Sequence, residues 1–157
     1  MKSIYIFGSF NPFAYLPGGK AEWGAVFEVK KHINQKSLFA FTDRSVPVPP
    51  GKIRAKNSWT AGQLQDDFSK SYVAQLLDDP ADFLLIDALS CVIPVREVSL
   101  GESRTKIPYS EPMAEACAAL ASECGLKILP RGAAMTEADI RGCLETFCRK
   151  ISAVYGR

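Results

Sequence analysis

Three uninterrupted apolar runs constrain this chain most: Ile4 to Phe7 ("IYIF"), Leu38 to Thr42 within "SLFAFT", and Phe83 to Ile86 within "DFLLID". A shorter fourth runs from Leu126 to Leu129 ("LKIL"). A strand with one wet face alternates apolar and polar residues, whereas a continuous run suits a strand buried on both faces. Parallel pairing satisfies that condition, because its crossover helices cover the sheet on both sides.

Helical patterns fall where those crossovers are needed. "AEWGAVFEVKKHI" places Trp23, Val26, Phe27 and Lys30 on one side and ends at Asn34. "TAGQLQDDFSKSYVAQLL" sets Leu64, Phe68, Tyr72 and Leu76 at four-residue steps before Asp78-Asp79-Pro80 stops it. "SEPMAEACAALASECG" has Ser110 as N-cap, Pro112 in the first turn and Gly125 after the last. In "MTEADIRGCLETFCRKISAVY" Thr136 opens a helix whose core stripe is Ile140, Leu144, Phe147, Ile151 and Val154. The expected fold is one α/β domain over residues 1–157. It is a three-layer sandwich around a parallel sheet of about four to five strands, Rossmann-like. Two long segments, 44–59 and 91–109, leave the sheet at the carboxyl ends of strands, the second as a short β arm or a lid.

Composition narrows the class of partner. Charged residues make up 23% of the chain and leave a net charge of only +2, without a basic stripe, which argues against a nucleic-acid surface. No apolar run reaches the roughly 20 residues that a membrane span requires. The opening "MKSIYIFGSF", followed at once by Pro12 and Pro17, reads as a first strand rather than a secretory segment, so a cytoplasmic protein is expected. Five cysteines, Cys91, Cys117, Cys124, Cys143 and Cys148, include no C-x-x-C pair. They read as small buried hydrophobes and predict neither a zinc site nor a disulfide framework. No cofactor or metal is expected, and a homo-oligomer stays open.

In a parallel sheet the strand ends gather Gly8, Ser9 and Asn11 from the first run, Asp43 and Arg44 from the second, and Asp87 and Ser90 from the third, with Arg131 after the fourth. Ser9 reads as a nucleophile, as a phosphate ligand, or as a turn residue bonding its own backbone. Asp87 could orient a base, bind a metal or cap the next segment. Asp43 and Arg44 form either a solvated pair or an anion clamp. His32, the single histidine, is the imidazole candidate for a general base. Its neighbours Lys30 and Lys31 equally suit the solvated end of a helix. Lys52, Arg54 and Lys56 occupy alternate positions in "GKIRAKNSW" and could hold a phosphate or sugar nucleotide against the Trp59 indole. The plainer reading folds Trp59 into the core over a solvated loop.

The string "GSFNPF" resembles the phosphate-binding start of the nucleotidyltransferase superfamily over about ten residues, which would carry to Gly8, Ser9 and Asn11 as phosphate-loop positions. That family's His-x-Gly-His pair has no counterpart in "AYLPGGKAEW". Over roughly half the chain, "IFGSF" and "SWTAGQLQDDFSKSYVAQLLDDPADFLLID" resemble the SGNH (GDSL-type) hydrolase fold, especially a bacterial Gly-Ser-Cys-motif group. That likeness implies Ser9 as nucleophile in an esterase or acyltransferase acting on a polar, carbohydrate-like ester. The family's Asp-x-x-His block is absent, since no histidine follows residue 32, and no Gly-x-Asn block is found. Either the chain has lost hydrolysis and binds a ligand, or it uses another base such as Asp87 or Asp43, or a partner chain supplies the imidazole. The remaining alternatives are a nucleotide- or phosphate-binding transferase and a catalytically silent α/β binding module.

Overall fold

The computed structural model describes residues 1–8, 24–49, 51–87, 94–129 and 136–156. It is a mixed α/β fold in which the strands form two sheets, each of three strands. In the first, β1 (Lys2–Gly8) lies between β2 (Phe27–Asn34) and β3 (Phe83–Ile86), and both neighbours run parallel to it. In the second, β4 (Val95–Leu100) lies between β5 (Ser103–Pro108) and β6 (Lys127–Ile128), antiparallel to both. The helices are α1 (Leu38–Phe41), α2 (Ser58–Ser69), α3 (Ser71–Asp78), α4 (Glu111–Cys124) and α5 (Glu137–Tyr155). No helix among the described residues is long and apolar enough to cross a membrane.

Among the described residues the parallel sheet therefore has three strands rather than the expected four to five, and two misread segments explain the difference. Phe27–Asn34, expected as a helix, is a strand. Its register slips between Ile4 and Tyr5, so that Ile4 faces Val29 while Tyr5 faces Lys31. This bulge reverses which side faces which core. Phe27 and Val29 pack with Ile4 and Ile6, but Ile33 packs on the other face with Tyr5 and Phe7. One extra residue thus erases the two-residue period and leaves apolar spacings that mimic a helix.

Leu38–Phe41, expected as a strand, is a single helical turn. Ser37 caps it by accepting from the Phe39 N–H at 3.3 Å. All four of its residues are buried, and a run apolar all round suits a buried turn as well as a buried strand. Phe41 stacks edge-on against Phe7 and Phe147, with ring centroids 6.0 and 4.7 Å apart. The fourth run contributes only Lys127–Ile128, and it joins the antiparallel sheet. Segment 91–109 carries the β4–β5 hairpin, turning at Gly101 with φ of 60°, so its described part is the anticipated β arm. Trp59 corrects the core-anchor expectation, since it stands on the first turn of α2 with 47% of its surface exposed.

The long helix expected over 60–77 breaks at Lys70, which takes a left-handed φ of 54°. Side chains compete with the helix there: Ser69 Oγ donates to the Gln65 carbonyl at 2.7 Å and accepts from the Ser71 N–H at 3.3 Å. Leu64 and Phe68 consequently enter one core, with Val98, Ile107, Met113 and Leu120. Tyr72 and Leu76 enter a second core, against the parallel sheet and α5. α4 and α5 begin at Ser110 and Thr136 as the sequence indicates. In α5 the apolar stripe is buried only at Phe147 and Ile151, while Ile140 and Leu144 stay exposed.

Candidate functional site

Because β1 is the middle strand, its carboxyl end has a neighbour on each side. Gly8, its last residue, faces Asn34 of β2. Across the other edge, the Asp87 N–H donates to the Phe7 carbonyl at 2.8 Å and extends the β1–β3 ladder by one bond. Asn34, Gly8 and Asp87 therefore form a row over the tip of the sheet. At the opposite end, the Asp82 carboxylate accepts from the Ser3 N–H at 2.7 Å and from Lys2 Nζ at 2.9 Å. These bonds fix the β1–β3 register and hold the Asp82 carboxyl well below the usual carboxylate range.

Glycine is required in that row by a close approach. A β-carbon on Gly8 would lie 2.5 Å from Asp87 Cβ and 3.2 Å from its Oδ2. The Asp87 side chain thus leans over the face from which a Gly8 side chain would rise, the face of Ile4 and Ile6. His32 belongs to the same face. It pairs with Ile6, while Ile33 pairs with Phe7 and enters the opposite core. Asn34 lies two positions beyond His32, about 7 Å along the strand. Asn34 brings a further group, a buried Oδ1 that accepts no hydrogen bond among the described residues. Carboxylate and carboxamide thus flank the residue that precedes Ser9, and the imidazole lies further back on the same face, opposite Ile6. Ser9 and Asn11, together with Ser90 and Arg131, lie outside the described residues.

The other expected site residues lie elsewhere. Asp43 follows α1 and accepts from the Lys106 N–H of β5 at 2.6 Å, with Lys106 Nζ 3.7 Å from its other oxygen. Arg44 is exposed. Since the second apolar run is a helix, Asp43 and Arg44 do not follow a parallel strand. Lys52 and Arg54 flank Glu123 of α4 at 3.7 and 3.5 Å, and Lys56 pairs with Glu115 at 2.9 Å. Arg54 and Lys56 also line an open cavity of about 480 Å³, together with Asn57, Thr60, Glu111 and Glu115. Its basic and acidic groups balance.

A cluster of buried charges lies between the two cores, and sequence reasoning passed over all of it. Lys36 Nζ stands 2.9 Å from Asp67 Oδ1, with the two side chains 1% and 0% exposed. Lys36 Nζ also donates to the Gln63 carbonyl at 3.0 Å and lies 5.4 Å from the Tyr72 ring centre. Among the described residues, neither Asp67 oxygen accepts a well-directed hydrogen bond, and the buried Tyr72 hydroxyl has no partner. Lys70 Nζ donates to the Lys106 carbonyl at 2.7 Å. Burial dominates the titration of the group. It lifts the Asp67 carboxyl to about 6 against the pull of Lys36, and lowers the Lys70 ammonium to about 8.

A signal for Asp67 was present, because it follows Leu64 by three residues and precedes Phe68 on a helix face that is otherwise apolar. Asn34 was read only as a helix stop, and once the segment is a strand it becomes a strand-end residue. Comparison with family models, with curated proteins and with solved structures gives no match.

Proposed function

We propose that this chain is a divergent SGNH-like hydrolase or acyltransferase acting on a polar, carbohydrate-like ester, with Ser9 as nucleophile. One observation carries the reading: the residue before Ser9 ends the central strand, and the Asp87 carboxylate and the His32 ring share its face. Such a strand tip is where open α/β sheets place their ligands. A hydroxyl after that tip needs a base to become a nucleophile, and Asp87 and His32 are the candidates on the face of Gly8.

In this reaction Ser9 Oγ attacks the ester carbonyl carbon while its proton passes to His32 or Asp87. The carbon–oxygen bond to the alcohol then breaks, and the alcohol leaves with that proton. Water, or a hydroxyl of a second substrate, attacks the acyl-serine and gives its proton to the same base, and Ser9 recovers one as it departs. Asn34 lies beside Gly8 in the row and suits a contact to the substrate. Ester hydrolysis by the purified protein, tested on acetylated sugars and p-nitrophenyl esters, decides the matter. Ser9→Ala should abolish turnover, and Asp87→Asn and His32→Gln should show which group takes the proton. Equal turnover by parent and Ser9→Ala would end this reading.

A phosphate- or nucleotide-binding transferase is the second reading, favoured by the cavity that Arg54 and Lys56 line at the first turns of α2 and α4. Nucleotides should then raise the melting temperature, and Arg54→Ala should remove the shift. No shift across a broad nucleotide panel would exclude it.

A further inference from the structure

We propose that the charges buried between the two cores form a proton-controlled latch, which holds the carboxyl end of β2 in place at neutral pH and releases it in mild acid. The placement of the groups carries the inference. Lys36 comes from the turn after β2, Asp67 from α2, and Lys70 from the break between α2 and α3. Through the Lys106 carbonyl, Lys70 reaches β5 of the second sheet, and through the Lys106 N–H the same residue reaches Asp43 after α1. One polar seam thereby ties both sheets to both cores.

The seam is also where the backbone is strained. Gln35 and Lys70 are the two non-glycine residues with positive φ among the described residues, at 52° and 54°. One directly precedes Lys36 and the other belongs to the cluster. Left-handed backbone at such residues persists only where its surroundings hold it. The Lys36–Asp67 contact holds the first turn, and that turn follows Asn34 directly.

Several groups face Asp67 or its partners. Lys31 comes from β2, Lys36 from the following turn and Asp43 from the end of α1. Asp66 and Lys70 border it from α2 and its end, Tyr72 from α3, Cys117 from α4 and Lys106 from β5. Of these, Lys36 and Lys70 are buried cations, and Asp67 is the one carboxylate that is fully buried. Protonating it leaves both ammonium groups inside without their counter-charge. Lys36 then gains by turning to water, and the strained turn at Gln35 opens with it. The elevated titration of Asp67 puts this change near pH 6. With Lys36 turned to water and Asp67 still buried, the carboxyl loses the pull that lowers it and holds its proton more tightly, so protonation favours the local opening. The folded chain stays a better proton acceptor than the unfolded one, so the fold persists.

As regulation of the sheet tip, the inference rests on the reading of that tip as the site, but its test does not use activity. Amide hydrogen exchange of segment 35–43 is measured between about pH 7.5 and 5 and corrected for intrinsic chemical exchange. Opening should rise by about tenfold or more in the parent as pH falls, while α5 stays protected. Asp67→Asn should be open throughout the range, and Lys36→Met should stay closed at the acid end. Flat protection in the parent, or a pH step that survives in Lys36→Met, would overturn the latch. If Asp67→Asn does not fold, the parent and Lys36→Met decide alone. Loss of esterase activity with an intact exchange step would discard the site reading and keep the latch.

Discussion

Replacing Asp67 by leucine should lower the free energy of unfolding by about 3–5 kcal/mol, because it strands a buried ammonium. At 2.9 Å the pair attracts by about 6 kcal/mol at an effective dielectric near 20, and each buried ion forgoes several kcal/mol of hydration. The intact pair is therefore nearly neutral overall, and its removal one side at a time is not. In Asp67→Leu, Lys36 keeps the Gln63 carbonyl at 3.0 Å and the Tyr72 ring at 5.4 Å. Burial already pushes its ammonium below the ordinary lysine range, so it can shed its proton, which favours the lower end of the expected loss. Lys36→Met strands the carboxylate in the same way. The double variant Lys36→Met/Asp67→Leu leaves neither ion behind and should return to within about 1 kcal/mol of the parent, or exceed it. Urea unfolding at neutral pH, followed by far-ultraviolet circular dichroism, gives all four stabilities. A coupling energy near zero, within about 0.5 kcal/mol, would refute the reasoning.

Further outcomes are expected. Gly8→Ala pushes a β-carbon against Asp87 Cβ, 2.5 Å away, and should destabilise by about 1–3 kcal/mol; unchanged urea unfolding would refute the close packing of the sheet tip. Thr136→Ala removes the hydroxyl arm of the capping box, which accepts from the Asp139 N–H and donates to Asp139 Oδ2, and leaves the arm from the Thr136 N–H; it should cost about 1 kcal/mol, read from the thermal midpoint. The pH profile has a definite sign. The Asp67 pKa is raised from 3.8 to about 6 in the folded protein, so its contribution is best below about 4 and is lost as pH rises to 6. The Lys70 pKa is lowered from 10.5 to about 8, so its contribution is best above 10.5 and is lost as pH falls to 8. Subtracting the profile of Asp67→Asn from that of the parent should show the first fall between about pH 4 and 6, and a flat difference would contradict it.

Where one physical cause determined local structure, the sequence was legible. Ser110, Pro112 and Gly125 delimit α4, and Thr136 starts α5, because capping needs particular residues at particular positions. The first and third apolar runs became adjacent parallel strands, and the first lies centrally, so Gly8 and Asp87 meet as expected. The second run failed because composition cannot separate a buried helical turn from a buried strand. β2 was hidden by its bulge, whose position depends on pairing with β1. That error also concealed the placement of His32, which sits on a strand opposite Ile6, on the face of Gly8, rather than at a helix end. The buried charges are the least legible element. Lys36 and Lys70 look like surface residues until tertiary packing closes over them.

The central claim is that the tip of β1 activates the hydroxyl that follows Gly8. Incubation with a fluorophosphonate probe, followed by peptide mapping, tests it most directly. The account predicts a single adduct on Ser9 that is slowed in Asp87→Asn or His32→Gln. A correctly folded protein that gains no adduct at Ser9, or gains it equally fast in both variants, contradicts it.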